Sequence, residues 1–190
     1  MNCPQSPNDP VVTQTRAWVD RMVIGLNLCP FAKAPQVKGR IRYAHCEATT
    51  PEGLLRSLGD ELQLLMRTAP DEVETTLLIH PHTLVHFAQY NAFLDEADER
   101  LEQLGLLGFL QIASFHPQYR FAGARPNDVT NATNRSPFPM LHLIRESSID
   151  RAVTAFPEAA AIYQANRATM RRLGKQGIAA LLEQCRRGAE

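Results

Sequence analysis

The residues with most chemistry to offer share one stretch, Phe115 to Arg145, FHPQYRFAGARPNDVTNATNRSPFPMLHLIR. It gathers His116 and His142, Asn131 and Asn134, and Arg120, Arg125, Arg135 and Arg145. Guanidinium groups bind carboxylate or phosphate through paired N–H donors, and several converging in one loop repel one another unless an anion joins them. The asparagines add neutral hydrogen bonds. Arg120, Asn131, Asn134, Arg135 and Arg145 are therefore expected to hold a small anionic metabolite. His116 stands where an apolar run meets the polar loop, a place suited to a general acid/base. The competing structural reading pairs the arginines with Asp128 and Glu146 or leaves them in solvent.

Cys29, in LNLCPF, is the candidate nucleophile. A reactive thiol needs a nearby cation or a helix N-terminus. The spacing of Trp18, Val19, Met22, Val23 and Leu26 puts Cys29 at the opposite, C-terminal end of a helix, where the dipole disfavours thiolate. Lys33 or arginines of the long loop would have to reverse that; otherwise Cys29 is a small buried residue. Ala32 stands where a CPxC motif would place its second cysteine. A different enzyme would use His80, His82 and His116 as an open zinc or iron site at neighbouring strand ends. A third reading is a non-catalytic binding or scaffold protein whose loop recognises a partner. No cofactor is indicated, since GxGxxG, Walker and GxSxG patterns are all absent.

These groups need elements to position them. Residues 1–12, with three prolines, read as a disordered tail, and 13–187 as one globular domain. A first helix is expected from Thr13, then a strand over Ile41 to Cys46. Thr50 and Pro51 fit the N-cap and N1 of a helix on Leu54, Leu55, Leu58, Leu62 and Leu65. ETTLLIH (Glu74 to His80) reads as a buried strand, and Thr83 as the cap of a helix that Gly105 closes. LLGFLQIASF, residues 106–115, is a nearly continuous apolar strand suited to a central position. A short fourth strand covers Leu141 to Arg145. Alternation along it sets His142 and Ile144 on one face, Leu141, Leu143 and Arg145 on the other. A helix from Ser147 or Ser148 through Phe156 and helical segments from Glu158, broken near Gly174, finish the chain.

The expected fold is thus α/β, a single domain with a mixed four-stranded sheet: βαβαβ, a long loop, a fourth strand, packed helices and a helical C-terminus. In open sheets of this kind ligands lie beyond the carboxyl ends of the strands. Those ends carry Cys46, Glu47, His80, His82 and His116.

GLNLCPFAK (Gly25 to Lys33), QIASFHPQYRFAG (Gln111 to Gly123) and TNRSPFPMLHLIRE (Thr133 to Glu146) together resemble a bacterial family of uncharacterised proteins, the domain-of-unknown-function family numbered 1415. The resemblance runs from about Thr13 to Val153. It implies no reaction, cofactor or catalytic residue, but its motifs coincide with the polar positions above.

Composition removes other classes. Twenty basic and twenty acidic side chains cancel, so a nucleic-acid partner held by bulk phosphate attraction is not expected. No apolar run reaches the ~18 residues of a membrane span, and MNCPQSPNDP lacks the core of a signal peptide. The expectation is a cytoplasmic protein with no membrane partner. Cys3, Cys29, Cys46 and Cys185 are scattered, which argues against a disulfide framework or a metal knuckle.

Overall fold

The computed structural model describes residues 9–155 and 159–187. Helix α1 (Pro10–Trp18) starts earlier than its apolar spacing suggests, because Asp9 caps it. Asp9 Oδ1 accepts from the Val11 amide at 2.8 Å, and Oδ2 meets His45 Nδ1 at 2.6 Å. Val12 is already buried, so the expected tail is shorter than drawn. Residues 1–8 of that tail, Cys3 among them, lie outside the described residues.

From Val19 to Ile24 the helix widens into a π-helical turn. The Gly25 amide bonds the Asp20 carbonyl at 3.0 Å and the Leu28 amide bonds Val23 at 2.9 Å, both five residues back. Such insertions occur often at functional sites. Asn27, with φ 54°, turns the chain out of the helix. A short helix α2 (Lys33–Val37) follows.

Strand β1 (Ile41–His45) leads into α3 (Pro51–Arg67), where Thr50 caps as expected, its side chain accepting from the Gly53 amide at 3.1 Å. Next come β2 (Thr75–Ile79), α4 (Phe87–Gln103), β3 (Leu110–Phe115), a 3-10 segment (Val129–Asn134) and β4 (Met140–Arg145). Helix α5 (Glu146–Ala155) and the long α6 (Ala159–Arg186) close the chain. The expected junction at Phe156 to Glu158 lies outside the described residues. The expected break near Gly174 is a kink inside α6, at φ 63° and ψ −179°, a conformation open to glycine.

The sheet is mixed, in the order β1-β2-β4-β3. Strands β1 and β2 are parallel through the α3 crossover, and β4 runs antiparallel between β2 and β3. Two local expectations need correction. The apolar run 106–115 forms an edge strand instead of a central one. It pairs only from Leu110, and Leu107 and Phe109 are exposed in the turn before it. The central strand is TTLLI, buried along its whole length, which suits β-branched and apolar residues covered on both faces. Thr83 does not cap α4: its hydroxyl donates to the Ala48 carbonyl, and the helix begins only at Phe87.

The two sheet faces are built differently. On one, Ala44, Leu78, Leu141 and Leu143 pack against Leu54, Leu58, Leu62 and Leu65 of α3 and Tyr90, Phe93 and Ala97 of α4. Burying such side chains contributes about 1.5–3 kcal/mol each. On the other, Tyr43, Leu77, Ile79 and Met140 meet Trp18, Val19 and Met22. Cys185 of α6 joins that second cluster as a buried core residue rather than a frayed end. A third cluster fixes α6 to the 3-10 segment through Leu28, Ala132, Met170 and Ile178.

Candidate functional site

The second face is only partly covered. Between the sheet, the π-helical turn, the 29–35 segment and α5 lies an apolar cavity of about 360 Å³. Its floor follows from the sheet register. Leu77 and Ala113 flank His142 on either side in one cross-strand row, and Thr75 pairs with Ile144 in the next. Ala113 is the small member of its row, and the space above it is not filled from the sheet. Trp18, Val19 and Val23 form one wall, Cys29, Phe31 and Pro35 another, and Ser148, Ile149, Ala152 and Val153 the third.

His142 is the one imidazole lining this cavity. Its Nε2 lies 2.7 Å from Thr75 Oγ1, which lies 2.6 Å from the Leu143 carbonyl oxygen. A carbonyl cannot donate, so the single hydroxyl proton of Thr75 goes to Leu143. Thr75 must then accept from His142, and the proton of the neutral ring sits on Nε2. Nδ1 keeps its lone pair and has no partner among the described residues, yet it is not among the side-chain atoms sealed inside the protein. Phe115 packs against the ring with centroids 6.1 Å apart. Burial pushes the His142 pKa down to about 4, so the imidazole is neutral at physiological pH.

Cys29 shares the cavity. Burial raises its thiol pKa and outweighs the Phe31 and Ala32 amides, which favour thiolate. The thiol is therefore protonated near neutrality, in line with its place after the helix end.

A shallower polar groove adjoins the cavity and shares Phe31, Pro35, Glu74, Ser148 and Ala152 with it. Lys38, Arg40, Asp71 and Arg151 line its outer part. Arg151 reaches Glu74 at 3.1 Å, whereas Lys38 and Arg40 have no carboxylate partner among the described residues. This mouth opens beside Arg40 and Glu74, at the amino ends of β1 and β2. The carboxyl ends, where strand order alone would put a ligand, are filled instead.

His116 lies at that filled end, fully buried against Phe87 and Tyr90. Its Nδ1 accepts from the Gln118 amide at 2.9 Å and its Nε2 meets the Leu84 carbonyl at 3.1 Å. Both ring nitrogens are thus engaged, and burial lowers its pKa. Buried His80 meets the Thr83 carbonyl through Nδ1 at 3.0 Å, while His82 is exposed. Among the described residues no three histidine, cysteine or acidic side chains are grouped to hold a metal ion, His80, His82 and His116 included.

The polar loop is used largely on itself. Asn131 accepts from the Phe121 amide at 3.1 Å and donates to the Arg125 carbonyl at 2.9 Å. Asn134 donates to the Ser114 carbonyl at 3.3 Å. Arg135 donates to the carbonyls of Tyr119 and Pro126 at 3.4 and 3.1 Å, and its own carbonyl accepts from the Trp18 indole at 3.0 Å. Arg120 and Arg125 are exposed. Arg145, on the packed face, donates to Leu65 and Thr68 at 2.6 Å and to Val73 at 3.1 Å. It thereby satisfies carbonyls at the end of α3, groups a helix leaves open. Arg120, Asn131, Asn134, Arg135, Arg145 and His116 line neither cavity nor groove; Cys29 does.

His142 was not among the expected site residues, although alternation along its strand already turned it away from Leu141 and Leu143. Thr75, its partner, carried no signal of its own. A threonine in a strand reads as β-propensity, and its role depends on a neighbour 67 residues away.

These features define an α/β domain with an apolar, imidazole-bearing cavity in one face of a mixed sheet. The chain belongs to the family described as Protein of unknown function (DUF1415), whose model matches residues 10–180. No curated protein and no solved structure matches the chain.

Proposed function

We propose that the protein binds a small molecule with an apolar body and an anionic group, the body in the cavity above β2, β4 and β3 and the anion at Lys38 and Arg40. The carrying observation is the cavity of about 360 Å³, within the usual range for small-molecule sites, joined to a groove with two unpaired cations. An anionic metabolite is the ligand class the arginine-rich loop first suggested; the cavity supports a different address for it, with Cys29 retained in the lining.

Trp18, the sole tryptophan, stands in the wall and reports occupancy directly. Titrating octanoate and decanoate is expected to shift its emission saturably and to raise the melting temperature. Lys38→Gln with Arg40→Gln is expected to weaken binding about tenfold, the scale of a charge-assisted contact. Unchanged emission and melting temperature with millimolar carboxylate would overturn the proposal.

A further inference from the structure

We infer that His142 Nδ1 is a hydrogen-bond acceptor for the bound molecule, so that the apolar body carries an O–H or N–H directed at the sheet floor. This inference rests on the cavity being a ligand site and adds the chemistry that selects among ligands.

Three observations carry it. The Thr75 hydroxyl has one proton and spends it on the Leu143 carbonyl, which fixes the ring proton on Nε2. Nδ1 is then an acceptor with no protein donor among the described residues. The lining around it is almost wholly apolar: beyond His142, only Glu74, Thr75, Cys29, Ser148 and the Trp18 indole carry polar side-chain atoms. The indole N–H is committed to the Arg135 carbonyl and the Thr75 hydroxyl to Leu143. Glu74 takes hydrogen bonds from Ser148 and Arg151 at its outer end.

An acceptor held in one tautomer and facing an apolar space discriminates by what it leaves unpaired. A ligand that presents a methyl group desolvates Nδ1 without replacing its hydrogen bond, and one that presents a hydroxyl restores it. Sites built around a specific polar group reject analogues lacking that group far more strongly than they reject a missing methylene. His142 is here the specificity-determining residue and Thr75 its positioning residue. Thr75 acts only by holding the ring proton on the far side.

The test uses two anions of nearly equal shape, 3-(4-hydroxyphenyl)propionate and 3-(4-methylphenyl)propionate, measured by calorimetry. Wild-type protein is expected to bind the hydroxyl compound at least about tenfold more tightly. That preference is expected to collapse in His142→Phe and in Thr75→Val, and to survive in Thr75→Ser, which keeps the hydroxyl. Nitrogen-15 spectra of the wild-type imidazole supply a readout that needs no variant. The free protein should show Nδ1 unprotonated, and its resonance should move when the hydroxyl compound is added but not when the methyl compound is. Equal affinities, a preference for the methyl compound, or a protonated Nδ1 in the free protein overturns the inference while leaving the cavity as a binding site. Failure of both anions to bind at millimolar concentration overturns both.

Discussion

The two faces of the sheet use the same strands to opposite ends. Towards α3 and α4, Leu141 and Leu143 of β4 meet a continuous layer of leucines and aromatic rings, and Arg145 ties off helix carbonyls. Towards α1 and α5, the alternate residues His142 and Ile144 face open space. One face is filled for stability; the other leaves apolar area uncovered and an imidazole without a donor. A protein close-packed on one side of a strand and hollow on the other places its unsatisfied groups where a guest can reach them.

Deleting side chains on successive residues of β4 tests that contrast most strongly. Leu143→Ala should cost about 2–5 kcal/mol, as filled leucine sites do. Ile144→Ala should cost about 1 kcal/mol or less, because the side chain already borders a void. Urea denaturation of both variants measures the difference, and equal losses would mean that the second face is as tightly packed as the first.

Acid should reveal the asymmetry next. The His142 pKa is lowered from its usual 6.5 to about 4 by burial, so above pH 6.5 the ring is neutral in both folded and unfolded chains. As pH falls below 6.5 the unfolded chain takes the proton first. Stability is therefore lost between pH 6.5 and 4, by up to about 3 kcal/mol, and levels off below. The groups facing the ring are Thr75, Cys29, Glu74 and Ser148, of which Glu74 carries charge over that range and is paired with Arg151. His80, also lowered to about 4 by burial, adds a similar slope from the carboxyl end of the sheet. Chemical denaturation across pH should show His142→Phe removing part of the slope and leaving the share of His80.

The smallest expected change in stability sharpens the comparison by function. Ala113→Leu places a larger side chain in the floor beside His142, and stability should stay within about 1 kcal/mol because the space already exists. Carboxylate binding, followed by Trp18 emission, should disappear. Retained binding would place the ligand elsewhere.

Local pattern carried much of this architecture. Thr50 and Pro51 mark a helix start that needs no distant partner, and Leu54, Leu58, Leu62 and Leu65 mark its buried stripe. Alternation in MLHLIR correctly set His142 and Arg145 on opposite faces. What pattern could not carry was the partner of each polar group. Arg145 looks like an anion binder until α3 is found to end beside it, about 80 positions away in sequence. His116 looks poised for proton transfer until Leu84, at φ 56°, turns its carbonyl onto the ring. The cavity depends on the register that puts Ala113 beside His142, and no single segment contains that information.

The π-helical turn at Val19–Ile24 has a further consequence for how this chain tolerates insertions and deletions. A π turn is an α-helix carrying one surplus residue. Removing one residue between Val19 and Ile24 would let the helix close regularly, and everything after it would rotate by about 100°. The helix before it, with Trp18 and the Asp9 cap, would keep its place. Cys29 and Phe31 would swing out of the wall they now form, so a deletion silent in helix content would dismantle one side of the cavity.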